Sequence, residues 1–369
     1  MTRDALGRRE AEELLQNLVE IESPSGAESA ASSFLVDWMS RHGMEARVDE
    51  VGNAVGVRGS GDREIMLLGH IDTFQGNVTV RRDGRLMYGR GTVDAKGPLA
   101  AFAVATARTS PGDDWRVTVV GAVEEEAASS RGARHILELR RRAPPVACII
   151  GEPSRWDRVT LGYKGRLVLR AAIRAPLGHS AGSLKLPPQL GVELWHEVTA
   201  FCTERDAEQD AVRPFDRLLP ALQEINTRSD DTHGVATLTV GFRLGPRDDP
   251  ELLAGALEAH ISEWARSEEI TELELAFAGA ERAHKAAKSS PLVRAFLASV
   301  RAAGGAPRFV LKTGTSDLNV VAPGWPSTWL VAYGPGDSNL DHTPDEHVDL
   351  GEYAQAIGVL TDVLDRLMA

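Results

Sequence analysis

Thiols are nearly absent: of 369 residues, only Cys148 and Cys202 are cysteine. Two cysteines cannot make a disulfide framework. Cys148, in Val146-Ala147-Cys148-Ile149-Ile150, reads as a buried strand residue. Aromatic residues are scarce at 5%. No apolar run approaches the roughly 20 residues needed to cross a bilayer. The opening Met1-Thr2-Arg3-Asp4 lacks the apolar stretch of a secretory signal. Positive charge is in deficit, with 41 Lys and Arg against 53 Asp and Glu and a net charge of -12. That balance excludes non-specific nucleic-acid binding, which needs a basic face. The expectation is a soluble cytoplasmic protein.

Glycine (35 residues) and alanine are plentiful, and 43% of the chain is hydrophobic. This suffices for a substantial core and two domains. The pattern predicts helices over 8–20 and 28–42, with Gly43 stopping the second. Short strands follow at 46–48 and 54–57, then the apolar strand Ile65-Met66-Leu67-Leu68. Pro98 sits at the start of a helix continuing over 99–109. Strands are predicted at 115–123 and 146–150, with a helix over 131–142 between them. Apolar strands alternating with helices imply a mostly parallel sheet covered on both faces. After about Lys164 the order becomes strand 166–175, helix 190–202, strands 219–226 and 236–244, helix 250–266 and strand 272–277. That β-α-β-β-α-β order is ferredoxin-like. The expected organisation is an α/β domain of residues 1–164 and 279–369, with an inserted α+β domain over 165–278. The first pattern resumes with a helix over 291–303 and a strand over 328–332.

Five ligand-type segments punctuate the α/β pattern. They are Gly69-His70-Ile71-Asp72-Thr73, Gly89-Arg90-Gly91-Thr92-Val93-Asp94, Glu124-Glu125-Glu126, Gly151-Glu152-Pro153 and Asp341-His342. His70, Glu124/Glu125 and Glu152 each lie just past a predicted parallel strand, the edge where open α/β sheets bind ligands. Taken singly, each has a bland explanation. A histidine after a strand is more often structural, and an acidic triplet is usually a solvated helix start. Their joint occurrence in one order makes chance a poor account. Two imidazoles with several carboxylates suit a pair of zinc-like cations. Such a pair polarises a scissile carbonyl and lowers the pKa of a water between them. Asp94 is the expected bridging carboxylate and Glu124 the expected base, which takes a proton from water and gives it to the leaving nitrogen. Glu125 is then a ligand, and Asp72 is placed to fix the tautomer of His70.

These segments resemble the dinuclear zinc amidohydrolases that include acetylornithine deacetylase, succinyl-diaminopimelate desuccinylase and glutamate carboxypeptidase. The likeness spans nearly the whole chain. It rests on Gly69-His70-Ile71-Asp72, on the bridging-aspartate string from Gly89 to Gly97, on Gly151-Glu152-Pro153-Ser154, and on His342 with Pro344-Asp345-Glu346. It implies His70, Asp94, Glu125, Glu152 and His342 as ligands of two zinc ions, replaceable by cobalt. It also implies Glu124 as base and Asp72 as support. Three strings are most similar to one branch of the family: residues 93–102, Gly121-Ala122-Val123-Glu124-Glu125-Glu126-Ala127, and Lys312-Thr313-Gly314-Thr315-Ser316-Asp317-Leu318-Asn319. That branch releases lysine, or in some cases ornithine, from the C-terminal glutamate of the small acidic carrier protein LysW. The alternative within the family is a deacylase of free N-acyl amino acids, such as acetylornithine or succinyl-diaminopimelate. A metal-independent binding protein on the same fold is the rival from another class.

The chain departs from the family pattern in two places. Val123 precedes three glutamates where the family has Asp before a Glu pair. A slip of one residue would make the base and ligand Glu125 and Glu126 instead. No equivalent is found for a family Asn that reaches substrate from the inserted domain. By resemblance, His179 in Gly178-His179-Ser180-Ala181 helps hold the developing oxyanion in the partner subunit's site of a homodimer. Arg243 resembles an arginine that binds the substrate carboxylate, and Gly314 and Thr315 offer backbone N–H groups to a carboxylate. Arg140-Arg141-Arg142 is read either as a helix end favoured by the dipole or as a docking patch for the acidic carrier.

Overall fold

A computed structural model describes residues 7–179 and 181–369. The N-terminal Met1–Asp4 segment and Ser180 of the His179 loop lie outside the described residues. The chain divides into two compact units. The first comprises Met1–Gly162, Lys285–Leu311 and Ser316–Ala369; the second comprises Tyr163–His284 and Lys312–Thr315. The sequence placed the two main boundaries after 164 and after 278, and it did not separate 312–315 from the first unit.

At the centre of the first unit, four parallel strands lie side by side in the order Trp115–Ala122, Arg63–His70, Ala147–Gly151, Trp329–Tyr333. Ile65, Met66, Leu67 and Leu68 are all fully buried. A continuous apolar run of this kind marks a strand covered on both faces. One cover is the helix Lys96–Arg108, in which residues 99–105 are fully buried. The C-terminal helix Leu350–Met368 packs against that helix. Antiparallel strands Ala54–Gly59 and Arg158–Tyr163 flank the parallel core.

Register decides where the chemistry can sit. His70 is opposite Ala122, Gly69 is opposite Gly151, and Gly151 is opposite Tyr333. The four C-terminal ends therefore finish level, and the loops leaving them share one edge of the sheet. Gly151 has to be glycine: a Cβ there would lie 2.9 Å from Gly69 Cα and 3.0 Å from the Phe102 ring.

A three-stranded sheet of Arg81–Asp83, Leu86–Tyr88 and His347–Asp349 was not foreseen. Nor were the strands Arg158–Tyr163 and Arg308–Lys312 or the helix Leu350–Met368. The three-residue strands are too short to show an alternating pattern. They matter nonetheless, since pairing His347 with Tyr88 brings the chain after His342 back beside the loop that carries Asp94.

In the second unit the strands run Leu219–Ser229, His233–Leu244, Gly165–Pro176, Glu272–Glu281, all antiparallel. Helices Pro187–Glu208 and Pro250–Arg266 supply the remainder. Alternate residues Leu167, Leu169, Ala171 and Ile173 join Leu194, Phe242 and Leu257 in a separate core. This is the ferredoxin-like order expected, with strands and the first helix longer at their ends than the apolar pattern marked. Among the described residues no helix is long and apolar enough to cross a membrane.

Leu67→Ala removes a fully buried side chain from the central strand. It should lower stability by about 2–5 kcal/mol, read as a shifted denaturant midpoint. A midpoint within error of the parent would contradict the central position given to this strand.

Candidate metal centre

His70 ends its strand with a ring only 2% exposed. Nε2 lies 3.1 Å from Asp94 Oδ1, and Nδ1 lies 3.0 Å from the Asp72 carbonyl oxygen. The Asp72 carboxylate is farther, 3.5 Å from Nδ1. Asp72 thus fixes the ring mainly through its own backbone. Its carboxylate, fully buried, has a second task that the sequence did not show. It accepts from Ser25 Oγ and from the backbone N–H groups of Glu125 and Glu126, at 2.7, 3.1 and 3.0 Å. Burial works against its charge, but the imidazole, the hydroxyl and the N–H groups hold its pKa below the ordinary value.

Asp94 stands on a loop held by another buried carboxylate, Glu346. One Glu346 oxygen accepts N–H groups from Gly91, Val93 and Asp94, at 2.9, 3.0 and 3.2 Å. The other receives Arg90 Nη1 at 2.8 Å. Glu346 lies four residues past His342, so one side chain locks the Asp94 loop to the His342 segment. Asp94 Oδ2 is 3.0 Å from His342 Nε2. The single carboxylate therefore turns one oxygen to each histidine.

The three glutamates differ in what each side chain meets. Glu124 has φ +62°, the left-handed region that ordinary residues occupy only under constraint. Its carboxylate goes to Arg131 Nε at 2.9 Å and Ser129 Oγ at 2.8 Å. Glu126 Oε1, not Glu125, meets His342 Nε2 at 3.0 Å. In the turn after Ala122, tied down by Asp72, it is Glu126 that joins Asp94 and His342, the arrangement of the one-residue slip that the sequence left open. Burial, and after it the charges of Asp317, Glu152 and Glu126, push the Glu125 carboxyl well above its usual pKa, with only His70 opposing.

Two groups of donor atoms result: His70, Asp94 and Glu152, and Asp94, Glu126 and His342, the atoms within each lying no more than 4.8 Å apart. Asp94 belongs to both. Imidazole and carboxylate donors in this ratio fit two divalent cations of zinc type. The electrostatics fit as well. Hydrogen bonds donated to the Asp94 and Glu126 carboxylates raise the pKa of the His342 imidazole to about 10. Burial opposes a charge on His70, yet Asp72 and Asp94 raise its pKa well above the ordinary value. The carboxylates thus draw positive charge to the two places where cations would bind. A third group, Asp49, Glu50 and His135, is a different case. Asp49 is committed to the N–H groups of Val51, Gly52 and Asn53, as in a turn.

The other sequence-predicted residues belong to the second unit. Arg243 Nη1 donates to Thr315 Oγ1 at 2.8 Å, and that hydroxyl donates to the Lys164 carbonyl at 3.3 Å. Gly314 faces open space. His179 is exposed, and its Nδ1 accepts the Ala181 N–H at 3.1 Å. In the first unit, Arg140 does not contribute to a free basic patch. It pairs at 2.9 Å with Glu64, which is 2% exposed and also takes Arg116 and Thr118. Arg141 pairs with Glu138. Arg140 is thus committed to a buried carboxylate, while the Arg141–Glu138 pair is exposed.

Residues 66–366 match peptidase family M20/M25/M40. The chain belongs to this family. Among the curated relatives of this M20 chain is a [LysW]-lysine hydrolase of Deinococcus radiodurans, 43% identical over 97% of both chains. A putative [LysW]-lysine/[LysW]-ornithine hydrolase of Thermococcus kodakarensis is 36% identical over 98% of this chain and 93% of its own. Among solved structures, an M20 family metallo-carboxypeptidase from Sulfolobus solfataricus superposes with a TM-score of 0.76, at 17% identity, over 97% of this chain and 99% of that one. That likeness speaks for the fold.

Two substitutions separate the register read from the structure from the ungapped one. Glu126→Ala should cost one of two bound ions, seen as a stoichiometry falling from two to one per chain by elemental analysis. Glu124→Ala should leave both. Loss of an ion in Glu124→Ala with retention in Glu126→Ala would restore the ungapped register.

Proposed function

We propose that this M20 hydrolase releases lysine, or ornithine, from the C-terminal glutamate of the amino-group carrier protein LysW. The observation that carries the reading is the pair of donor groups sharing Asp94. The substrate comes from the names of relatives that match this chain from end to end. The ligands are His70, Asp94, Glu152, Glu126 and His342, and the ions are zinc, with cobalt able to substitute. When bound, such a pair of ions polarises the amide carbonyl and acidifies water.

Glu125 is the general base in this reading. It is in neither donor group and adjoins the ligand Glu126, so its carboxylate is left to take a proton from water and pass it to the leaving nitrogen. Asp72 holds its backbone, so the carboxyl is aimed by a buried anchor. Arg243, with its fork of donors, suits the substrate carboxylate, and Gly314 and Thr315 line the same segment of the second unit. His179 serves a developing oxyanion in the partner subunit of a homodimer formed through the second unit. The setting is cytoplasmic lysine biosynthesis, with arginine biosynthesis if ornithine is released. One methylene separates the two products, worth about 1–3 kcal/mol of discrimination in an apolar pocket.

Glu125→Gln should lower turnover by about 10²–10⁴-fold while both ions stay bound, and Glu124→Gln should stay near the parent. Substrate class is tested by free amino acid released from lysine-charged LysW and from N-acetyl-ornithine. Release from charged LysW alone is expected. Turnover of the acetylated amino acid alone would move the chain to the deacylases and discard the carrier.

A further inference from the structure

The two histidines of the metal centre are held by different means. His70 is enclosed, and its Nδ1 has the Asp72 carbonyl at 3.0 Å. This is the usual arrangement, in which the nitrogen that faces away from the metal donates to an oxygen and so fixes the ring. His342 lacks it. Its side chain is 43% exposed, its backbone has φ +61°, and its Nδ1 has no hydrogen-bond partner among the described residues. Both of its polar contacts among the described residues, to Asp94 and Glu126, are made by Nε2. Two contacts to one atom leave the ring free to rotate about the line through that atom.

Phe74 removes this freedom. Its ring lies over the His342 imidazole with centroids 4.2 Å apart and planes 10° from parallel. Phe74 follows Thr73, whose N–H is bonded to Ser23 O at 3.0 Å and which bridges to Pro24. The aromatic ring is thus mounted on an anchored stretch of chain. It is itself 43% exposed, so burial in the core does not explain its position. Coordination draws electron density out of an imidazole and makes its face more positive. The negative face of a phenyl ring then attracts it, for the reason that cations sit over aromatic rings.

We infer that Phe74 is a positioning residue for the second metal ion, orienting His342 by stacking where His70 is oriented by a hydrogen bond. The inference rests on the two-ion reading above. It makes the ion held by Glu126 and His342 selectively sensitive to a residue that touches neither that ion nor its carboxylate ligands.

The test uses Co(II) added to metal-free full-length protein, with a competing chelator to obtain both affinities and the visible absorption bands to report ligand geometry. Parent, Phe74→Ala and Phe74→Tyr are compared. Phe74→Ala should weaken the ion that Glu126→Ala loses by about 10-fold or more and alter its bands, leaving the other ion within about twofold. Phe74→Tyr, which keeps the ring, should restore both. Phe74→Ala with parental affinities and bands overturns the inference. So does an equal weakening of both ions, and so does a failure of Phe74→Tyr to restore. A parent protein that takes fewer than two ions overturns the two-ion reading itself, and the inference with it. That failure is visible before any substitution is made.

Discussion

One carboxylate organises the centre. Asp94 turns one oxygen toward His70 and the other toward His342, and every other group there is arranged to make that tolerable. Bringing Asp94, Glu125, Glu126 and Glu152 to one sheet edge costs free energy through like-charge repulsion and desolvation. The same crowding, with burial, pushes the Glu125 carboxyl toward its neutral form, and the carboxylates pull the imidazoles toward their charged form. Two divalent cations would answer the same demand with fixed charge.

Two buried carboxylates outside the donor groups hold this arrangement. Asp72 binds backbone N–H groups of the glutamate turn, and Glu346 binds those of the Asp94 loop. Each joins segments far apart in the chain. Asp72 links the end of strand Arg63–His70 to the turn after strand Trp115–Ala122, and Glu346 links the C-terminal region to residues 90–94. The donor groups are therefore set by backbone anchoring as much as by the strands beneath them. Lys96, two residues past Asp94, ties the same loop to the N-terminal helix and the residue after it. Its Nζ donates to the carbonyls of Leu18 and Ile21, and burial lowers its pKa to about 8.

Much of this was legible in the sequence because it depends on strand ends. Apolar runs locate the parallel strands, and His70 and Glu152 follow directly from where those runs stop. The ferredoxin-like order was legible for the same reason. The register of the glutamates was not. It depends on a left-handed residue at Glu124 and on N–H bonds to Asp72, neither of which leaves a mark on apolar periodicity. The family pattern of an acid before the glutamate pair was the one available signal, since it allowed the shift to Glu125 and Glu126. Glu346 stood in plain view beside His342, but its partners are backbone N–H groups, and side-chain spacing says nothing about those. Arg140 read as surface charge because its partner Glu64 lies 76 residues away, at the start of a strand.

The most direct test of the shared carboxylate is a zinc-soaked crystal examined by anomalous diffraction at the zinc edge. The account predicts two peaks flanking Asp94, one against His70 and Glu152, the other against Glu126 and His342, with the Glu125 carboxyl bound to neither. A single peak, or a second peak held by Glu124 or Glu125, would contradict it.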